Sequence, residues 1–388
     1  MTGIPFRDQL WPEVPGPTRS YLALPNPARP RMLIDASSPL ATRRVLRVVT
    51  VSGGARNRAL ASIAGQMSRL YLTTGRVRLP SGEGSLETHI SHELGQRGLA
   101  FGWTFGPPRA NRKPVVTIVG KSGNAAAYGK IAVNPLTRAL LAHEAETITR
   151  LSGAVSGLQV PGCGPITEWQ GLGVLLIEPV VPIHPGAALP EHLRMAAEDG
   201  IAAALGTRRM PLAESSFWQF TKTQIVVATH ANPAWENGIR DTIREIEARA
   251  GEVEVTLGSW HGDWTRHNVG YTERGASAWD WERFETGVPV GFDALHYWLT
   301  ERLAATAAST DAAAELVTVA PEILSRYVAS GAIRDPRLVA LLYLMTIGTR
   351  YMTDRQDLAG SLASGFETWL LDSLPVLART LDPRGDHA

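Results

Sequence analysis

The chain has a single cysteine, Cys163, which excludes an intramolecular disulfide and a thiolate-rich metal site. Net charge is nearly absent as well: 38 Lys and Arg against 37 Asp and Glu leave +1, so no global field draws nucleic acid or an anionic membrane. Long apolar runs are missing. The longest, residues 174–183, contains Glu178 and two prolines and falls far short of the roughly 20 residues of a membrane span. The N-terminal MTGIPFRDQLWPEVPGP lacks the basic-then-apolar order of a signal peptide. No internal repeat or low-complexity tract is present. These absences predict a soluble, cytoplasmic protein with neither nucleic acid nor membrane as partner. They leave its oligomeric state open.

What is present is a globular composition, 44% apolar and 19% charged, over 388 residues, a length that suggests two or three domains or lobes. The chain is organised around residues 261–282, HGDWTRHNVGYTERGASAWDWE. An alternating stretch over 253–257 predicts a strand leading into His261, Asp263 and Asn268, spaced H-x-D-x-x-x-x-N. A hairpin turn over 272–275 then brings a second apolar run to Asp280. Phosphoryl transfer to a hydroxyl needs such a set: a carboxylate to orient and deprotonate the hydroxyl, and oxygen ligands for Mg²⁺. Asp263 suits the base, Asn268 and Asp280 the metal ligands, and His261 a structural role in shaping the loop.

Earlier in the chain, residues 99–105, 114–119 and 125–133 read as strands. Alternation places Tyr128, Lys130 and Ala132 on one face of the third. Taken alone, Lys130 is equally an edge-strand lysine reaching solvent. The helix expected over 136–151 changes this, because its apolar stripe includes Glu144, while Glu146 lies off that face and can pair with Arg150. An inward carboxylate after a strand lysine gives an ion pair of the kind that positions nucleotide phosphates. The loop over 106–112 carries one glycine and two prolines and departs from Gly-x-Gly-x-x-Gly; Arg109 and Arg112 could reach phosphates there, or the loop is an ordinary solvated one. Residues 56–72 read as a helix. After residue 190 the chain reads as mostly helical, over 190–205, 233–250, 293–305, 311–329, 336–352 and 361–381. Asp293 reads as an N-cap.

The interval from Asp263 to Asn268 equals that of the protein-kinase catalytic loop. HGDxxxxN, followed by Trp279-Asp280-Trp281-Glu282 and then residues 287–293 (GVPVGFD), resembles the aminoglycoside phosphotransferase/choline kinase family. Lys130 and Glu144 match that family's strand lysine and helix glutamate. The resemblance implies an α+β, bilobal protein-kinase-like fold, with a small β-rich N-terminal lobe over 99–180 and a larger, mostly helical C-terminal lobe over 181–388. Residues 1–98 would be an N-terminal extension or cap of no legible role. It further implies ATP or GTP with Mg²⁺, a hinge at Glu178 whose backbone meets the nucleobase, Glu282 as a supporting residue, and a small-molecule hydroxyl acceptor. Sugars, amino sugars, aminoglycosides and amino alcohols all qualify; a cationic one would call on acidic residues such as Glu273, Glu285, Asp354 and Asp357. The competing reading is a pseudokinase, a nucleotide-binding regulatory module, whose hallmark would be loss of the base, the metal ligands or the lysine. The tryptophans at 260, 264, 279 and 281 either stack a sugar ring or pack beneath the loops.

Overall fold

Short runs rich in apolar and β-branched residues, several of them buried on both faces, give many of the strands. In chain order these are β1 (Thr18–Leu24), β2 (Met32–Asp35), β3 (Arg76–Pro80), β4 (Ala100–Phe105), β5 (Pro114–Val119), β6 (Ala125–Ala132), β7 (Leu158–Gln159), β8 (Thr167–Trp169), β9 (Leu172–Ile177), β10 (Arg208–Pro211), β11 (Glu254–Trp260), β12 (Val269–Thr272), β13 (Gly275–Ala278) and β14 (Glu285–Pro289). The structure, a computed structural model, describes residues 3–13, 16–52, 75–106, 111–180, 188–230, 236–305, 311–356, 370 and 373–381. It divides into two compact units. One comprises Met1–Ser152, Val160–Ala188 and Gly270–Ser277; the other comprises Gly153–Gln159, Leu189–Val269 and Ala278–Ala388. The helix expected over 56–72 lies outside the described residues. No described helix is long and apolar enough to cross a membrane.

The first unit is built on one eight-stranded sheet, ordered β3-β1-β2-β4-β5-β6-β9-β8. Strands β1 to β3, drawn from the first hundred residues, continue the same sheet as β4 to β6, with Leu33 of β2 opposite Trp103 of β4. One face buries Tyr21, Leu33, Val77, Phe101, Trp103, Val116 and Ile131. Trp11 meets Trp103 edge-on there, ring centroids 4.9 Å apart, a geometry that adds about 0.5–1.5 kcal/mol beyond area burial. The other face buries Leu22, Leu24, Ile34 and Val119 beneath Val45 and Val48 of the helix Pro39–Ser52. The helix Pro135–Leu151 starts at a capping box, Asn134 accepting from the Thr137 N–H, and lies on β6 and β9.

The second unit is mainly helical around a three-stranded sheet, β10-β11-β14. Its central helix, Pro336–Gln356, has every side chain from Leu338 to Met345 buried, so it is enclosed on all sides. The expected helix over 311–329 is two: Ala312–Ile323 and Ser325–Ala329, broken at Leu324, three residues after Pro321. The helix Ser216–His230 was not anticipated from the pattern. Gly258 lets the helix Glu191–Ala203 approach β11; a Cβ there would sit 2.3 Å from the Ala202 carbonyl oxygen. Most of the expected helix over 361–381 lies outside the described residues, leaving Leu374–Arg379 at its end.

Candidate active site

In the first unit, Lys130 of β6 and Glu144 of the helix Pro135–Leu151 form a buried ion pair. The Lys130 ammonium lies 2.5 and 2.7 Å from the two Glu144 carboxylate oxygens. Both sequence periodicities hold here: Lys130 is 9% exposed and Glu144 fully buried, whereas Glu146 faces solvent toward Arg150. An unpaired ammonium at this position would be costly to bury, so each group depends on the other. Glu178 is exposed just past β9, and its backbone N–H donates to the Gly162 carbonyl at 2.8 Å. Arg112 lies over the Phe6 ring, at 5.4 Å, while Arg109 is outside the described residues.

In the second unit, β11 ends at Trp260 and hands the chain to a loop that is pinned at each step. The His261 N–H donates to both carboxylate oxygens of Asp293, at 3.1 and 2.8 Å. The sequence pattern makes Asp293 an N-cap; it stands instead inside the first turn of the helix Phe292–Ala305, and its carboxylate holds this loop. Burial pushes the Asp293 carboxyl up to about 8, against the His261 and Gly262 N–H groups, which favour the carboxylate. Gly262 has φ +81°, and a Cβ would fall 1.9 Å from the Arg283 carbonyl oxygen; only glycine fits. Its own carbonyl accepts from Arg350 at 2.6 Å, and that guanidinium lies 4.7 Å over the Trp260 ring.

The His261 ring is a fixed strut. Its Nδ1 accepts the Asp263 N–H at 3.2 Å, so the ring hydrogen sits on Nε2, 3.1 Å from the Trp279 carbonyl oxygen. Complete burial lowers its pKa to about 4, so it is neutral near pH 7. Asp263 is thereby tied to the residue preceding Asp280. Asn268 closes the loop: its Nδ2 donates to the Asp263 carbonyl at 3.0 Å and to Asp263 Oδ2 at 2.8 Å. With both amide hydrogens used, Asn268 Oδ1 is the atom left to accept or ligate. Burial raises the Asp263 pKa, but His296, with Nε2 3.4 Å from Oδ1, and His261 together favour the carboxylate, and the net result lies below the ordinary value. Beside Asp263, Trp264 donates its ring N–H to buried Glu198, itself held by Arg194 at 2.6 Å and Arg326 at 2.5 Å.

Asp280 adopts φ +70°, a left-handed conformation uncommon for a residue other than glycine and characteristic of functional positions. It precedes a short 3-10 turn, Trp281–Arg283. Carboxylate oxygens of Asp280 and Glu282 lie within 4.8 Å of each other. These two carboxylates are hard oxygen donors of the kind Mg²⁺ takes, as is the amide oxygen of Asn268. Of the four tryptophans, Trp260, Trp264 and Trp281 are buried and pack beneath the loops. Trp279 is half-buried and donates its ring N–H to the His267 carbonyl. Glu285, one acidic residue available to a cationic acceptor, is occupied by the Trp260 ring N–H and Arg350. Glu273 lies exposed in the β12–β13 turn, while the Asp354 side chain and Asp357 lie outside the description. His296 and Arg350 escaped the sequence reading. The available clue was the i,i+3 spacing of Asp293 and His296, which puts both on the helix face toward the loop.

An antiparallel sheet unit carrying a strand-lysine to helix-glutamate pair, with a helical unit carrying the HGDxxxxN loop, is a kinase-like α+β fold. No family model matches the chain, and no curated protein does. Among solved structures, the chain is similar to a thermostable mutant of aminoglycoside phosphotransferase APH(4)-Ia in its apo form. The two share 14% identity and a TM-score of 0.50, over 78% of this chain and 100% of that one. It is also similar to APH(2")-IIa from a gentamicin complex, at 10% identity and TM-score 0.43, over 79% and 99% of the two chains. A further match is the amicoumacin kinase hAmiN, at 13% identity and TM-score 0.39, over 72% and 89%. The resemblance read from residues 261–293 thus agrees with the fold.

Proposed function

We propose that this chain is an ATP- or GTP- and Mg²⁺-dependent phosphotransferase that moves the γ-phosphate to a hydroxyl of a small molecule. The observation that carries this reading is the double hold of Asn268 on Asp263, which fixes a carboxylate of lowered pKa in one orientation. A group so held is ionised near pH 7 and able to accept the proton of an attacking hydroxyl as its bond to phosphorus forms. Lys130, paired with Glu144, offers its ammonium to phosphate oxygens. Asn268 and Asp280, with Glu282 beside them, would hold Mg²⁺, which when bound neutralises charge on the phosphates. Similarity of fold to an aminoglycoside phosphotransferase supports a small acceptor, drawn from sugars, amino sugars, aminoglycosides and amino alcohols. So does the connection after Asp280, only eleven residues before the helix Phe292–Ala305, too short for a protein-kinase activation segment. The test is a panel of these four classes assayed for acceptor-dependent nucleotide consumption with Mg²⁺. Consumption with one class supports the reading; tight ATP binding without consumption on any favours a regulatory nucleotide-binding module.

A further inference from the structure

His296 stands in the same helix as Asp293, one turn further on, in Phe292–Ala305. It is 9% exposed, walled by the Trp260 ring at 6.2 Å and the Tyr343 ring at 6.0 Å. Its Nδ1 lies 2.9 Å from the Tyr343 hydroxyl. Its Nε2 is buried, makes no hydrogen bond among the described residues, and lies 3.4 Å from Asp263 Oδ1. A carboxylate only accepts, so the Nε2 atom facing it carries a hydrogen. Burial raises the Tyr343 pKa, so the phenol keeps its proton and can donate it to Nδ1. The two ends of the imidazole are thus assigned by their neighbours.

Resting on the phosphotransferase reading, we infer that His296 is a positioning residue for Asp263, steadied by Tyr343 and acting on the carboxylate oxygen that Asn268 does not hold. Asn268 holds Oδ2 from the loop by a hydrogen bond, and His296 Nε2 faces Oδ1 from the helix at 3.4 Å. A donor on each side favours one rotation of the carboxylate, and with it one direction of approach for the acceptor hydroxyl. This geometry matters in the reacting complex more than in binding, since neither nucleotide nor acceptor needs His296 itself. Outer partners of this kind contribute roughly 10–100-fold to function.

The experiment compares wild type, His296→Leu, His296→Gln and Asp263→Asn/His296→Leu with the acceptor that the panel identifies. His296→Leu should lose roughly 10–100-fold in kcat while KM for nucleotide and acceptor moves by less than about threefold. His296→Gln, whose amide can place an N–H near the Nε2 position, should recover most of the loss. The double variant should be no slower than Asp263→Asn alone, because the effect runs through Asp263. A His296→Leu enzyme within about twofold of wild type, a loss confined to KM, or losses that multiply in the double variant would each overturn the inference. Those results leave the phosphotransferase reading intact. A folded wild type that phosphorylates nothing overturns both. Nitrogen-15 spectra of the imidazole supply a check independent of turnover: Nε2 should be protonated, and an unprotonated Nε2 would defeat the assignment.

Discussion

Asn268 and Asp263 are joined twice, the one side-chain amide donating to both the carbonyl and Oδ2 of the other. The five-residue interval is what permits this: a single tight loop returns the amide to the residue that begins it. The same contact uses both amide hydrogens of Asn268 and leaves its Oδ1 as the acceptor. In the proposed mechanism one residue thus serves both the proton acceptor and the metal.

Lys130 and Glu144 are interdependent. Replacing Lys130 by alanine strands a fully buried carboxylate, which typically costs about 3–5 kcal/mol. We expect Lys130→Ala to lower stability by about that much and to weaken nucleotide binding in whatever fraction remains folded. Lys130→Ala/Glu144→Ala should be the more stable of the two variants. Chemical denaturation paired with calorimetric ATP·Mg titration reads both effects. A single variant as stable as the double would show that the pair is not desolvated.

Gly262 tolerates no side chain. With φ +81° and the Arg283 carbonyl oxygen 1.9 Å from the position of a Cβ, Gly262→Ala should destabilise the protein by about 4 kcal/mol or more. The loop must shift to relieve the overlap, breaking the His261–Asp293 and Arg350–Gly262 contacts. Denaturant midpoints measure it, and a change under about 1 kcal/mol would contradict the geometry.

Much of this was legible before the fold was known. Period-two alternation brought Lys130 to one strand face and a 3.6-residue stripe turned Glu144 inward. Neither required long-range information. The membership of β1 to β3 in the same sheet was not legible, because β1 pairs with β3 more than fifty residues away and β2 with β4 about seventy away. Asp293 read as an N-cap because its pattern suffices for one; its bond to the His261 N–H is tertiary. His296 and Arg350 look like ordinary helix residues until the helices are placed around the loop. Asp280 gave no sign of its left-handed backbone, since aspartate is not glycine and the strain is imposed by its surroundings.

His261 gives the protein an acid sensitivity of defined sign. Its folded pKa of about 4 lies below the unfolded value of 6.5, so the unfolded chain takes up the proton first. Stability from this residue is complete above pH 6.5 and is lost as pH falls from 6.5 toward 4, in total about 3 kcal/mol. His261→Gln, unable to titrate, should show a shallower decline across that window. Denaturation curves at pH 7.5, 6 and 5 for both proteins give the comparison, and parallel declines would exclude His261 as the source.

The most direct test of the account is Asp263→Asn. Asparagine keeps the shape and one acceptor oxygen but cannot take the hydroxyl proton. A general base contributes about 10²–10⁴-fold to rate, while nucleotide binding does not depend on it. The measurement is acceptor phosphorylation by wild type and variant, beside calorimetric ATP·Mg titration of each. We predict a loss of at least about 100-fold in turnover with nucleotide affinity nearly unchanged. A variant that turns over like wild type would contradict the assignment of Asp263 as the base.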